Sequence, residues 1–212
     1  MKTNDFFILS LRINENELGI PSYSFVDSNQ CILTTPSSRG NHYLDYEVLR
    51  SNIIDKQPGT VLLIGFKLVN IHKCQPIQGA ICDLWQCNAF GEYSGFGEYK
   101  NERFLRGRQI SDNLGFVEYT SIYPSYYDNR TNHLHLKINY QNKDLLTTQL
   151  YFPQIYNNEI QKTNPYNKRP LNKIQNRDDH ILKATHFAIG CWLKTISFGN
   201  KIMATITIAL NI

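Results

Sequence analysis

The sequence lacks any apolar run long enough to cross a membrane, since a transmembrane helix needs about 20 consecutive apolar residues. A short apolar stretch at 6–9 is followed at once by charged residues, and it has neither the long core nor the cleavage site of a signal peptide. We therefore expect a soluble protein with no membrane partner. It would be cytoplasmic if this sequence begins at its natural start, and secreted if a leader has been removed.

A strong excess of one charge is also missing. The chain has 22 Lys and Arg against 18 Asp and Glu, a net charge of +4. Its one basic cluster lies between Lys162 and Arg177, in an Asn-rich stretch without a helical or aromatic-stacking pattern beside it. A solvated loop explains this cluster, so we expect no nucleic-acid partner.

The cysteines lack the Cys-x2-Cys spacing of zinc sites. Cys82 is spaced like a core position of its strand, which predicts a buried thiol. Disulfides are compatible with the positions of the others, but the spacing leaves their pairing open. The five are Cys31, Cys74, Cys82, Cys87 and Cys191.

Aromatic and β-branched residues are abundant, with 13 Tyr and 11 Phe, and they recur in short segments between turn signals. Helical periodicity is almost absent, and the polar stretch 153–180 predicts a long excursion with room for one short helix. The pattern predicts an all-β fold, a β-sandwich or barrel of about eight short strands with long loops and little helix. The principal strands are expected near 61–69, 79–87, 116–122, 133–140, 145–152, 185–189 and 203–210.

The domain organisation is simple, because composition does not break along the chain. Residues 1–30 are weakly patterned and predict an N-terminal arm with at most one strand. Residues 31–212 are expected to form a single β-sandwich domain.

A metal-ligand pattern lies in the stretch from Tyr123 to Lys137. His133 and His135 are two residues apart in a predicted strand, so their side chains share one face and can converge on one ion. Tyr127 and Arg130 lie in the loop just before them. An isolated pair of this kind is more often two ordinary strand histidines, so the interpretation depends on the rest of the chain.

Several segments, taken in order, resemble the intradiol ring-cleavage dioxygenases, and the resemblance covers most of 31–153. The family holds a non-haem Fe(III) between two tyrosinates and two histidines, a set that suits a hard cation because phenolate oxygens are anionic. The segments are 31–36, 79–86, 91–94, 104–109, 112–115, 123–137 and 148–153. The metal ligands that the resemblance implies are Tyr93, Tyr127, His133 and His135.

The resemblance also implies a reaction: a catecholic ring is cleaved with O2 between its two hydroxylated carbons, giving a cis,cis-muconate-type dicarboxylic acid. Tyr127 would be the ligand that the substrate displaces. Arg130 would stabilise negative charge developing on the ring, and Gln149 would contact both the arginine and the substrate. The chain is similar to compact, single-sandwich members of the family, as a monomer or a homo-oligomer.

Alternatives remain beside this interpretation. Tyr93 could be a plain surface aromatic, and Arg130 could merely pair with Asp128. A cupin-type dioxygenase also carries His-x-His on a strand, but it would need a Glu or Gln soon after His135, and 136–140 contain neither. The alternative function is a catalytically inactive β-sandwich that binds catecholic or aromatic ligands.

The sequence departs from the family pattern at 39–43, which reads Arg-Gly-Asn-His-Tyr where many relatives have Glu-Gly-Pro-Tyr-Tyr. This segment lies near the mouth of the pocket in the family, so the departure leaves the choice of catechol open. His42 within it has no partner at a useful spacing. Asp83 and Trp85 are expected to be structural, as a strand carboxylate and a packed indole near the site.

Overall fold

The structure is a computed structural model that describes residues 31–212, so the predicted arm at 1–30 lies outside the described residues. The strands are β1 (Val61–Asn70), β2 (Ile81–Trp85), β3 (Arg106–Ile110), β4 (Phe116–Ile122), β5 (His133–Tyr140), β6 (Lys143–Tyr151), β7 (Lys194–Phe198) and β8 (Lys201–Leu210). Two short helices accompany them, α1 (Gln154–Ile160) and α2 (His180–Ala184).

The strands form two four-stranded sheets, with orders β4-β1-β8-β7 and β3-β2-β5-β6. Strands β1 and β8 pair in parallel, and the other neighbours are antiparallel. The all-β sandwich predicted from the sequence is confirmed. Within 31–212, no helix combines the length and apolar character that crossing a bilayer requires.

Strand β5 places the metal-ligand pattern, because successive side chains of a strand point to opposite faces. Leu134, Leu136 and Ile138 are buried in the apolar core between the sheets. His133 and His135 therefore lie on the outer face of their sheet, where loops cover them and leave 2% and 1% of their surface exposed. One strand thus contributes both to the core and to the candidate site.

The neighbours of β5 bring further side chains to this outer face. Trp85 on β2 and Gln149 on β6 both pair in register with His135, and Tyr151 on β6 pairs with His133. Residues directly opposite in adjacent strands share a face, so these three side chains surround the two imidazoles.

The strand predicted at 185–189 is wrong. Positive φ angles at His186, Phe187 and Ala188 (49°, 60° and 45°) are incompatible with an extended strand. The apolar residues there form turns after α2, and the edge strand β7 comes later, at Lys194–Phe198. The excursion at 153–180 is confirmed as mostly irregular, although it holds α1 and leads directly into α2.

The cysteines divide into a linked pair and three buried thiols. Cys31 and Cys74 form a disulfide that ties the beginning of the described chain to the turn after β1. Cys82 is fully buried, as predicted, and Cys87 and Cys191 are also buried free thiols.

Candidate metal centre

The four predicted ligands come together above the outer face of β5. The Nε2 atoms of His133 and His135 are 3.1 Å apart, and His135 Nε2 lies 3.2 Å from Tyr93 Oη. The rings of Tyr93 and Tyr127 meet edge to face with centroids 5.2 Å apart, and the centroid of the Tyr127 ring lies 5.4 Å from that of His133. Two imidazole rings and two phenol rings therefore come together in a small volume.

The tautomer of His133 follows from its hydrogen bond. Nδ1 lies 2.7 Å from the carbonyl oxygen of Thr131, which can only accept, so the ring proton is on Nδ1. Nε2 then offers a lone pair to the centre of the cluster. Burial, reinforced by the positive charge of Arg130, lowers the pKa of His133, so its imidazole is neutral at pH 7.

His135 is neutral for the same main reason, because burial lowers its pKa and the neighbouring His133 lowers it further. Its ring stacks on the indole of Trp85, with centroids 4.9 Å apart and planes 9° from parallel. Its Nδ1 has no hydrogen-bond partner among the described residues. The indole thus fixes the ring plane, and the ring turns Nε2 toward Tyr93.

The two phenols differ in their exposure. Only 4% of the surface of Tyr93 is exposed, whereas Tyr127 is half-buried in the loop before β5. Burial raises the pKa of both hydroxyl groups, so a nearby cation is required to hold either one as a phenolate. A bound metal ion has this effect, because it strongly favours the ionised form of its ligands.

These donors fit a ferric ion, since two phenols that can ionise and two neutral imidazoles form the hard, partly anionic set that Fe(III) prefers. Among residues 31–212, no group of three or more His, Cys, Asp or Glu side chains is placed to hold a metal. The candidate centre therefore depends on its two phenols.

Arg130 and Gln149 lie beside this cluster and contact each other. Arg130 Nη2 donates to Gln149 Oε1 at 2.6 Å, and Gln149 Nε2 donates to the carbonyl oxygen of Ser38 at 2.9 Å. The structure therefore contains the contact between the arginine and the glutamine that the resemblance implies. Arg130 pairs with Asp179, at 2.8 Å, rather than with Asp128.

Sequence reasoning missed two neighbours of the site. His42 stacks on Tyr93 with centroids 4.2 Å apart and meets the edge of Tyr127 at 5.6 Å. Asp179 is fully buried against Arg130. Neither position has a local signal, because each is at least 49 residues in sequence from the side chain that it contacts here.

Asp83 and Trp85 lie where the sequence interpretation expected them. The Asp83 carboxylate accepts from Arg108 Nε at 2.6 Å and from the Tyr43 hydroxyl at 3.0 Å. Asp83 thus holds Arg108 and Tyr43 in place, and Trp85 stacks on His135. Neither residue adds a donor to the cluster.

A cavity of about 270 Å³ opens beside the two tyrosines. Its wall combines aromatic side chains, among them Tyr93 and Tyr127, with acidic ones. It is lined by His42, Gly91, Glu92, Tyr93, Phe96, Gly97, Glu98, Tyr99, Tyr127 and Asp128. Tyr127 therefore borders free space, and neither His133 nor His135 lines this cavity.

Known proteins that are similar to this chain are dioxygenases. A family model described as "Dioxygenase" matches residues 34–161, more than half of the chain. A catechol 1,2-dioxygenase of Candida albicans is 25% identical over 137 residues, covering 54% of this chain and 45% of that protein. One from a Pseudomonas species is 40% identical over 53 residues, covering 25% and 18%. The chain thus spans less than half the length of these curated relatives.

Solved structures extend the similarity to nearly the whole fold. An intradiol ring-cleavage dioxygenase from Tetranychus urticae superimposes with a TM-score of 0.80 at 26% identity, over 85% of this chain and 95% of that one. A 3-chlorocatechol 1,2-dioxygenase from Rhodococcus opacus shares the fold, with a TM-score of 0.61 at 20% identity, over 84% and 72%. Together with the family match, these similarities establish that the chain belongs to the intradiol ring-cleavage dioxygenases.

Proposed function

We propose that this protein is a non-haem Fe(III) dioxygenase that cleaves a catecholic ring with O2 between its two hydroxylated carbons, giving a cis,cis-muconate-type dicarboxylic acid. The observation that carries the proposal is the convergence of Tyr93, Tyr127, His133 and His135 in a family member. The partners are the catecholic substrate and O2.

The four donors are the residues that would hold the ion. When bound, Fe(III) would supply the Lewis acidity that keeps a catechol ionised and makes its ring reactive toward O2. His133 and His135 contribute neutral nitrogens, and Tyr93 contributes a deeply buried phenol. The protein's part is to keep these groups in place and to limit access of water.

Tyr127 has the position expected of the ligand that leaves. It lies in a loop rather than in a strand, it is half-buried, and it borders the 270 Å³ cavity. Its ring would turn into this cavity, whereas Tyr93 is covered by the stacked ring of His42. The phenolate of Tyr127 would take up a proton from an arriving catechol as it leaves, and so become a neutral phenol.

Arg130 is the fixed positive charge beside the reacting ring. Its guanidinium stays charged at any working pH and lies in a low-dielectric setting, where it stabilises anionic character more strongly than it would in water. Gln149 accepts from Nη2 and so limits the directions in which the arginine can donate.

The test is oxygen consumption by purified protein loaded with Fe(III), across catechol, protocatechuate, hydroxyquinol, and chlorinated and alkylated catechols. We expect one O2 consumed per ring cleaved, with a dicarboxylic acid as product. An iron-loaded protein that binds catechols without taking up oxygen would contradict the proposal and favour an inactive binding protein. A protein that takes up neither iron nor oxygen after ferric reconstitution would also contradict the proposal.

A further inference from the structure

We propose that Asp179 is a positioning residue that fixes the guanidinium of Arg130 in the orientation used on the substrate. The inference rests on the proposed function and adds to it a residue outside the segment that the family model matches. Asp179 comes from the long excursion between β6 and β7, far in sequence from the candidate metal ligands.

The contact between the two residues is buried and well directed. Asp179 is fully buried and Arg130 is 6% exposed. One carboxylate oxygen, Oδ2, accepts from Arg130 Nε at 2.8 Å and from the backbone N–H of Thr131 at 2.9 Å. The same oxygen thus holds the side chain of Arg130 and the backbone that follows it.

The guanidinium is restrained on two sides. Nε is held by Asp179, and Nη2 donates to Gln149 at 2.6 Å and lies 3.5 Å from the Tyr151 hydroxyl. Among the described residues, Nη1 has no hydrogen-bond partner and is not sealed from solvent. Its two N–H groups are therefore the donors of a deeply buried arginine that remain free for a ligand.

Other side chains of the excursion hold the same turn. Asn172 Nδ2 donates to the carbonyl oxygen of Arg130 at 2.9 Å, and Asn176 Oδ1 accepts from the Thr131 hydroxyl at 2.5 Å. Asp179 is the one of these groups that contacts the guanidinium itself. Losing its charge would weaken the hold on the guanidinium, while the contacts of Asn172 and Asn176 would continue to hold the turn.

Asp179 also begins helix α2, because Oδ1 accepts from the backbone N–H groups of Ile181 and Leu182 at 3.0 Å. A test must therefore separate capping from positioning. Asn is a good N-cap residue, so Asp179→Asn retains the cap and removes the charge that holds Arg130. Asp178→Asn is the matched control, because Asp178 is an exposed neighbour whose carboxylate lies 3.7 Å from Arg177.

The first measurement is kinetic. We expect Asp179→Asn to lower kcat by about 10-fold to 100-fold with unchanged iron content, because a small misplacement of a group that acts on the substrate slows the reaction by this factor. Asp178→Asn should match the unaltered protein. In an Arg130→Gln background, Asp179→Asn should change kcat by less than about threefold, because residues acting as a unit are not additive. Equal losses in both backgrounds would overturn the inference.

The second measurement needs no activity. In metal-free protein, NMR should show that the Nε–H of Arg130 exchanges slowly with solvent. Asp179→Asn should speed this exchange about tenfold or more, because a hydrogen bond to a charged carboxylate is stronger than one to a neutral amide. Unchanged exchange in that variant would overturn the positioning role. Absent oxygen uptake by the unaltered protein would instead contradict the proposed function, so the two failures are distinguishable.

Discussion

The backbone of Gly40 packs directly against His135, and Gly40→Ala tests this contact. Gly40 has a φ of 69°, and a Cβ atom there would lie 3.2 Å from His135 Cε1, closer than ordinary van der Waals contact. The substitution therefore has two costs. The left-handed backbone costs about 1–2 kcal/mol of stability for a residue with a Cβ, and the methyl group pushes a candidate metal ligand by a few tenths of an ångström.

Gly79 supplies a matched control. Its φ of 81° is similar, but a Cβ atom there would meet nothing within 4 Å. Gly79→Ala should therefore show the backbone cost alone, which for a domain of this size lowers Tm by about 2–4 °C per kcal/mol. Thermal unfolding of the metal-free proteins measures this cost, and we expect it in both variants.

The two variants should differ in metal binding. We expect Gly40→Ala to weaken Fe(III) affinity by about tenfold, the lower end of what is lost when a residue supporting a ligand is altered, and Gly79→Ala to leave it unchanged. A competitive chelator titration, read by visible absorption, measures the affinity. Equal affinities in the two variants would refute the reasoning that Gly40 and His135 are packed together at the metal centre.

Three further predictions concern the site and its supports. Tyr127→Phe should retain iron, alter the visible absorption and slow catechol binding in stopped-flow experiments, and an unchanged spectrum would contradict its assignment as a ligand. Because burial lowers the pKa of His133 and His135, the unfolded chain binds more protons than the folded protein below pH 6.5. The free energy of unfolding of the metal-free protein, measured by urea unfolding, should therefore fall by about 1–2 kcal/mol per histidine between pH 7 and pH 5. Equal stability at both pH values would contradict the buried, neutral state of the imidazoles. Cys31 and Cys74 are 43 residues apart, and reduction of their disulfide should lower the free energy of unfolding by up to about 4 kcal/mol. Equal urea midpoints with and without reductant would contradict this stabilisation.

The sequence could predict those parts of the fold that local periodicity governs. Strand β5 is the clearest case, since its alternation separates the core leucines from the two histidines without any knowledge of their partners. The edge strand β7 was not predicted, because its residues are mostly polar or half-exposed. The apolar residues at 185–189 have the composition of a strand, so the strand was predicted there instead. The positive φ angles at 186–188 could not be predicted from the order of apolar and polar residues.

The candidate site divides in the same way. The spacing of His133 and His135 and the loop carrying Tyr127 and Arg130 are local features, so they could be predicted, and their roles as ligands and catalytic groups remain predictions. Asp179 and His42 reach the site through long-range packing of irregular segments. No local rule links such segments to a distant turn, so these contacts required the structure.

Iron content and visible absorption of His133→Ala beside the unaltered protein test whether two tyrosines and two histidines hold Fe(III). We expect equimolar iron with a burgundy tyrosinate-to-iron band in the unaltered protein, and neither in the variant. Full iron occupancy with the same band in His133→Ala would contradict the assignment of the ligands.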